Sequence, residues 1–266
     1  MASTIIYTLS DSVGSNPINV AKSVIAQFTD FDCPIRNFPF IKSDEQLLDI
    51  LYLAKEKQAM IIFNFASTDR VNTLEKYCND NDIFHFNLLT SLVDEMSKRI
   101  DEEPNQIAGA NHQLDKEYFN RIKAMEFAVQ YDDGQDPKGF LEADIVLLGI
   151  SRTSKTPLSI YLANEGYKVA NLPLMPESKI PKEIYQVDKK CLIGLTNDKD
   201  VLMNIRQERM RAYGLSSDSI YSNRDRINKE LEYANELYKK LDCFIINVAN
   251  KSIEETTAII KNYLNQ

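Results

Sequence analysis

The residues whose types and spacing could do chemistry lie together near the middle of the chain. An apolar segment, ADIVLL, leads into Gly149, and Ser154, Lys155 and Thr156 follow at the spacing of a phosphate-binding P-loop, G-x-x-x-x-G-K-[ST]. In such a loop, backbone N–H groups point at the phosphates, the lysine neutralises phosphate charge and the hydroxyl binds magnesium. Because Ser154 replaces the second glycine, two interpretations stay open: a phosphate cradle, or a strand, turn and helix with a coincidental Lys-Thr pair.

The sequence around this loop favours the phosphate cradle. The apolar segment predicts the strand that must precede the loop, and Pro157 suits the first turn of the helix that must follow it. Serine is small, and Arg152 adds a cation that a solvent-facing turn would not need. The predicted phosphate-binding residues are Gly149, Ile150, Ser151, Arg152, Thr153, Ser154, Lys155 and Thr156.

The composition excludes several classes of protein. The net charge of -8 is opposite to the basic balance of nucleic-acid-binding proteins, so we expect no nucleic-acid partner. No apolar run is long enough to span a membrane, and the N-terminal residues lack the pattern of a signal peptide. The four cysteines show no C-x-x-C spacing, which is typical of free thiols. We therefore expect a cytoplasmic protein.

Strand-like and helix-like segments alternate along the chain, which predicts an α/β fold with parallel sheets. We predict strands at 3–9, 59–65, 83–88, 143–148, 168–172, 191–195 and 243–248. Predicted helices cover 18–28, 45–57, 71–79, 92–100, 115–130, 155–164, 198–213, 223–241 and 252–264. A polar, aperiodic segment at 101–113 separates a Rossmann-like α/β domain at 1–105 from a P-loop domain with its own parallel sheet at 106–266.

The string GISRTSKTPLSIYLANEGYKVANLPLMPE, which begins at Gly149, resembles the signature of the pyruvate, phosphate dikinase regulatory proteins. The phosphoenolpyruvate synthase regulatory proteins share that signature. The likeness extends upstream through RIKAMEFAVQYDDGQDPKGFLEADIVLLG and downstream through INVANKSIEETTAIIKNYL, and SDSVG is similar to the family's turn after its first strand. It covers nearly the whole chain and is far more specific than a bare P-loop match. A serine at the position of Ser154 is usual in this family.

The resemblance implies a bifunctional enzyme with a P-loop kinase-like second domain. Such proteins transfer phosphate from ADP to a threonine of the dikinase, which inactivates it, and remove it by attack of inorganic phosphate, which releases pyrophosphate. Overall likeness favours pyruvate, phosphate dikinase as the protein substrate, with phosphoenolpyruvate synthase as the alternative. A third hypothesis is a non-catalytic, nucleotide-sensing regulator of gluconeogenesis. The oligomeric state, a homodimer included, stays open.

Roles for individual residues follow from the needs of phosphoryl transfer. Lys155 would hold the β-phosphate of ADP, Thr156 would bind Mg²⁺, and Arg152 would stabilise charge that grows in the transition state. Asp132 and Asp133, in YDDG, are the candidate bases, with a solvated turn as the alternative interpretation. No apolar strand ends in the acid of a Walker B motif, so one acid of this pair could also serve the metal.

Two further groups carry alternative interpretations. Arg206, Arg209 and Arg211 share the predicted helix 198–213, where they could close over phosphates or form a solvated face with Glu208. The turn SDSVG at 10–14 follows the first strand, where α/β sheets place ligands, and a plain turn is the alternative there.

Overall fold

The structure is a computed structural model that describes residues 4–29, 33–112, 114–214 and 220–266. The chain divides into two compact units, unit 1 (Met1–Gln113) and unit 2 (Leu114–Gln266). Each unit contains a four-stranded sheet in which every strand pair is parallel, which confirms the predicted α/β fold class. None of the helices within the described ranges is both long and apolar enough to cross a membrane.

Unit 1 is built around its first strand. The strands are β1 (Ile6–Ser10), β2 (Ile35–Phe38), β3 (Met60–Asn64) and β4 (His85–Asn87), and the helices are α1 (Ser15–Ile25), α2 (Asp44–Lys57), α3 (Thr68–Asp80) and α4 (Thr90–Ile100). The strand order is β2-β1-β3-β4. Tyr7 and Leu9 of β1 pack in the core that α2 and α3 cover, whereas Ile6 packs beside Ala21 of α1. Helices thus cover both faces of β1, as is usual for parallel sheets.

Unit 2 repeats this strand arrangement. Its strands are β5 (Ile145–Gly149), β6 (Val169–Pro173), β7 (Leu192–Thr196) and β8 (Phe244–Asn247), in the order β6-β5-β7-β8. Its helices are α5 (Lys116–Gln130), α6 (Gly139–Glu142), α7 (Lys155–Asn164), α8 (Lys199–Ala212), α9 (Arg224–Leu241) and α10 (Ile253–Leu264). The turns Asp132–Gly134 and Ile220–Ser222 are short 3-10 helices.

The central strand β5 is buried along its whole length. Val146 and Leu148 pack in the core that α9 covers, and Ile145 and Leu147 pack in the core that α7 and α10 cover. The side chains of a strand alternate between its faces, so an apolar run of this kind indicates burial on both sides. The predicted phosphate loop therefore begins at the carboxyl end of an inner strand of the sheet.

Side chains cap two helices of unit 2 at their N-termini. The Asp115 carboxylate accepts a hydrogen bond from the Tyr118 N–H (2.8 Å) at the start of α5. Ser252 and Glu255 form the capping box of α10, in which each side chain accepts a bond from the other residue's backbone N–H (3.1 and 2.8 Å). Such caps satisfy N–H groups that the helix itself leaves unpaired.

Candidate functional site

The loop from β5 to α7 is a tight turn held by its own side chains. The Thr153 hydroxyl donates to the Ile150 carbonyl (2.9 Å), and a Cβ at Gly149 would clash with the Thr153 Oγ1. Arg152 and Ser154 adopt left-handed backbone conformations, with φ of 72° and 60°. Glycine is favoured at such positions, which is the physical reason for the second glycine of the common motif. Ser154 adopts that conformation here and precedes the first residue of α7.

Lys155 is the first residue of α7, and its charge is buried. Only 6% of the residue is exposed, and its Nζ donates to the Ile150 carbonyl (3.1 Å). Burial lowers the pKa of Lys155 to about 8, and the nearby carboxylates of Asp133 and Asp132 oppose that shift. A buried ammonium beside a helix N-terminus stabilises an anion placed between them.

The 3-10 turn Asp132–Gly134 brings the two acids of YDDG to this loop. The Asp132 Oδ1 accepts hydrogen bonds from the Thr156 hydroxyl (3.0 Å) and from the Asn171 amide (2.5 Å). Asp133 has a left-handed backbone, with φ of 52°, and its N–H donates to the Asn171 Oδ1 (3.3 Å). The two adjacent acids therefore differ in their surroundings: the Asp132 carboxylate is bound to the loop, whereas Asp133 is exposed and lines the cavity described next.

An open cavity of about 540 Å³ lies in front of the loop. Its lining includes loop residues, one acid and the end of β6: Asp133, Ser151, Arg152, Ser154, Lys155, Thr156, Pro157, Pro173, Met175 and Ile205. This volume is within the range of small-molecule sites, and cationic groups line its floor. The arrangement can hold a phosphate between a buried ammonium, a guanidinium and backbone N–H groups.

The oxygen atoms around Thr156 are of the kind that hold magnesium together with phosphate groups. Among the residues that the structure describes, no group of three or more His, Cys, Asp or Glu side chains could hold a metal ion. Magnesium, however, is commonly held by one or two protein oxygens together with substrate phosphates. The Thr156 hydroxyl and the Asp132 carboxylate, 3.0 Å apart, are such oxygens.

Within the ranges that the structure describes, no acid that follows β6 or β7 lines the cavity. Strand β6 ends at Pro173, and Asp198, which follows β7, accepts a bond from the Asn247 amide (2.9 Å) and does not line the cavity. The acid bonded to Thr156 instead comes from the turn that precedes β5 in the chain. The sequence shows no Walker B strand, and in the structure the acid beside Thr156 is Asp132, which lies outside the sheet.

Asn171 is a site residue that the sequence pattern did not single out. It is fully buried in β6, and its amide group reaches Asp132, the Asp133 backbone and the Ser159 hydroxyl (3.2 Å). The signal was present in KVANLPL, where one asparagine interrupts an apolar strand. A buried amide needs hydrogen-bond partners, and the adjacent loop supplies them.

Arg206 corrects both interpretations of the arginine-rich helix. Its side chain is fully buried, so it neither belongs to a solvated face nor lines the cavity. Its guanidinium donates to the Ser151 carbonyl (3.1 Å) and to the Glu230 carboxylate (2.6 Å). It therefore links the backbone of the loop to helix α9. Arg209 and Arg211 do belong to an exposed face, where Arg211 pairs with Glu208.

Tyr221 also contacts the loop and was missed because it lies far along the chain. Its hydroxyl is 2.7 Å from the Ser151 Oγ and accepts a hydrogen bond from the Arg152 Nε (3.1 Å). The residue belongs to the 3-10 turn that precedes α9. No local pattern in the sequence distinguishes this tyrosine from the others.

Comparison with known proteins places this site in a family. A family model described as "Kinase/pyrophosphorylase" matches residues 6–260. A "Putative pyruvate, phosphate dikinase regulatory protein" of Ligilactobacillus salivarius is 52% identical over 257 residues, which cover 97% of this chain and 95% of the relative. Proteins of the same name from Lacticaseibacillus casei (48%, covering 97% and 94%) and Lactiplantibacillus plantarum (47%, covering 100% and 97%) are also similar. These matches confirm the resemblance found in the sequence.

Proposed function

This chain belongs to the kinase/pyrophosphorylase family, and from that premise we propose that it regulates pyruvate, phosphate dikinase by reversible phosphorylation of a threonine. In the kinase direction it transfers the β-phosphate of ADP to the threonine hydroxyl. In the phosphorylase direction inorganic phosphate removes the group as pyrophosphate. The names of the relatives favour the dikinase over phosphoenolpyruvate synthase as the protein substrate.

One observation carries the proposal: the buried Lys155 and the acid Asp133 line the same open cavity, and the neighbouring Asp132 is bonded to Thr156 of the loop. Phosphoryl transfer depends mainly on positioning and charge neutralisation, and a base is needed close to the attacking hydroxyl. The loop supplies Lys155 and Arg152 as cations, and Asp133 supplies an exposed carboxylate at the same cavity. Because the cavity is open, a threonine on the surface of another protein can reach it.

In the kinase direction, the threonine oxygen attacks the β-phosphorus of ADP. The bond from that phosphorus to the bridging oxygen breaks, and AMP leaves with the electron pair. We assign the proton of the threonine hydroxyl to Asp133, because this exposed acid lines the cavity. Lys155 and Arg152 neutralise the charge that develops on the transferred group.

In the phosphorylase direction, an oxygen of inorganic phosphate attacks the phosphorus of the phosphothreonine. The bond from phosphorus to the threonine oxygen breaks and pyrophosphate forms, while Asp133 passes the proton of the attacking hydrogen phosphate to the threonine oxygen. The two reactions use different phosphate partners, but in each of them the proton at the threonine oxygen moves to or from Asp133.

Asp132 is the better candidate for the metal. Its Oδ1 already accepts a bond from the Thr156 hydroxyl, the group that binds magnesium in P-loops. When bound there, magnesium would neutralise phosphate charge. The Asn171 amide donates to the Asp132 carboxylate and accepts from the Asp133 backbone N–H. These two bonds hold each acid in its own position.

The test uses the purified protein, a dikinase carrying phosphohistidine on its catalytic histidine, and ADP labelled in the β-phosphate. We expect label on a dikinase threonine, and a loss of about 10²–10³-fold in transfer by the Lys155→Met variant. Lys168→Met is the matched control, because Lys168 is exposed in the same unit and does not line the cavity. Release of pyrophosphate from the phosphorylated dikinase on addition of inorganic phosphate tests the reverse direction.

The outcomes separate the alternatives. Label that appears on phosphoenolpyruvate synthase and not on the dikinase would replace the substrate and keep the chemistry. Tight ADP binding with no label on either enzyme would contradict the kinase and favour a nucleotide sensor that acts by contact. Equal loss of transfer in the Lys168→Met control would show that the effect does not come from the loop.

A further inference from the structure

The hydroxyl of Tyr221 joins two consecutive residues of the phosphate loop. It lies 2.7 Å from the Ser151 Oγ and accepts a bond from the Arg152 Nε at 3.1 Å. Tyr221 itself is half-buried and does not line the cavity. It can therefore affect a bound phosphate only through the loop residues that it holds.

Tyr221 is held in turn by the fully buried Arg206. The Arg206 guanidinium donates to the Tyr221 carbonyl (3.0 Å) and to the Ser151 carbonyl (3.1 Å), and its central carbon lies 4.7 Å from the centre of the tyrosine ring. The Glu230 carboxylate accepts from the same guanidinium (2.6 Å) and from the Arg226 Nε (2.8 Å). A buried charge that is paired and hydrogen-bonded in this way fixes its neighbours in one geometry.

The bond to Tyr221 restricts the orientation of the Arg152 side chain. Within the described part of the chain, its bond to Tyr221 uses the Nε and is its single hydrogen bond. An arginine side chain has many rotamers, and it loses conformational entropy when its guanidinium is fixed against a phosphate. A bond at the Nε orients the planar group and leaves its two terminal nitrogens, which match a pair of phosphate oxygens.

We propose that Tyr221 is a positioning residue that orients Arg152 for phosphoryl transfer, an inference that rests on the proposed function. Lys155 and the backbone of the loop hold the nucleotide before and during transfer. The guanidinium of Arg152 acts mainly on charge that grows as the phosphoryl group moves. An interaction that strengthens in the transition state raises kcat more than it tightens binding.

The experiment compares Tyr221→Phe with wild type for both ADP binding and transfer to the dikinase. Phenylalanine keeps the ring against Arg206 and removes only the hydroxyl, so thermal unfolding should stay close to that of wild type. We expect kcat to fall by about tenfold to a hundredfold, the effect of losing a hydrogen bond to a charged group. The dissociation constant of ADP should change little.

Tyr213→Phe is the matched control. The Tyr213 hydroxyl also accepts a bond from an arginine, Arg209, whose guanidinium lies 4.5 Å from the ring centre, but both residues are exposed and neither lines the cavity. This variant should transfer phosphate at the wild-type rate. A similar loss in both variants would contradict a role specific to the loop.

A double variant tests whether Tyr221 acts through Arg152. In an Arg152→Ala background, Tyr221→Phe should cause no further loss of kcat, because the group that it orients is gone. Independent, additive losses would overturn the proposal, as would wild-type kcat in Tyr221→Phe or a weaker ADP affinity with unchanged kcat. If wild type binds ADP and transfers nothing, the proposed function fails and this inference fails with it.

Discussion

The two units share one strand order and differ in the side chains on the turn that follows their first strand. In each, the first strand is central, the second strand pairs on one side and the third on the other. The turn after the first strand leads into a helix whose N-cap residue is left-handed, Gly14 with φ of 78° in unit 1 and Ser154 with φ of 60° in unit 2. Parallel sheets of this order open a crevice at that turn, where ligands bind.

The side chains on the two turns have opposite charge. The turn of unit 1 carries Asp11, whose buried carboxylate accepts the Ala66 N–H (2.8 Å) and lies 4.0 Å from an Arg70 nitrogen. The turn of unit 2 carries Arg152 and leads into the buried Lys155. Both turns offer a helix N-terminus, yet only the second adds cations to it. The fold therefore supplies the place for a phosphate, and the side chains decide whether one binds there.

Replacement of Asp133, the acid beside the turn of unit 2, should have the largest effect on phosphate transfer. Asp133 lies on a separate 3-10 turn and lines the cavity, whereas Asp11 lies within the turn of unit 1 and bonds to backbone. We expect Asp133→Asn to lower transfer to the dikinase by about 10²–10⁴-fold, because the base that we propose is lost, while ADP binding is kept. Titration of ADP and a transfer assay on the same preparation measure both quantities.

Asp132→Asn is the comparison for that variant. It should raise the magnesium concentration needed for half-maximal transfer, because the carboxylate bonded to Thr156 is lost. If Asp132→Asn abolished transfer at saturating magnesium and Asp133→Asn did not, the two assigned roles would be reversed.

The residue that ends the first strand of each unit should give the next largest effect. In unit 1 it is Ser10, whose side chain accepts the Ser12 N–H (3.1 Å); in unit 2 it is Gly149, where a Cβ would clash with Thr153. We expect Gly149→Ala to destabilise the protein by about 1–3 kcal/mol, because a tightly packed turn must move. Denaturant unfolding measures this, and ADP affinity should fall with it. A Gly149→Ala variant with unchanged stability and ADP affinity would contradict the tight packing of the turn in unit 2.

The pH dependence of ADP binding should show a smaller effect. Burial lowers the pKa of Lys155 to about 8, so its charge is present below that pH and lost above it. Bound phosphate favours the charged form, so ADP affinity should decrease as pH rises through 8, by about tenfold between pH 7 and pH 9. Calorimetry across this range measures the change. Lys155→Met should bind weakly and show a flat profile; a parallel decrease in that variant would assign the titration to another group.

The course of the chain through both units could be predicted largely from local pattern. The apolar runs AMIIFNF and ADIVLL indicated strands, and β3 and β5 lie there. Strand β2 was missed because IRNF is polar, half exposed and at the edge of its sheet, so it has no continuous apolar run. Helix α1 begins at Ser15, earlier than expected, because Pro17 fits the first turn of a helix.

The site could be predicted only where it is contiguous in sequence. Gly149 to Thr156 form one local motif, and the YDDG acids stood out by composition. The contacts that hold these parts together join distant residues: Asn171 to Asp132, Tyr221 to Arg152 and Arg206 to Glu230. Such pairs depend on which strands and helices become neighbours, which no pattern within a short window contains. Arg206 was misplaced for that reason, since its buried partner lies in the next helix.

The smallest effect should come from the acid in the turn of unit 1. We expect Asp11→Asn to leave ADP affinity and transfer unchanged and to alter the free energy of unfolding by no more than about 1 kcal/mol. The asparagine oxygen can still accept the Ala66 N–H, so only the charge opposite Arg70 is lost. ADP titration and denaturant unfolding of this variant measure both quantities. A severalfold change in ADP affinity would contradict the contrast between the turns, because the acidic turn would then contribute to nucleotide binding as the cationic one does.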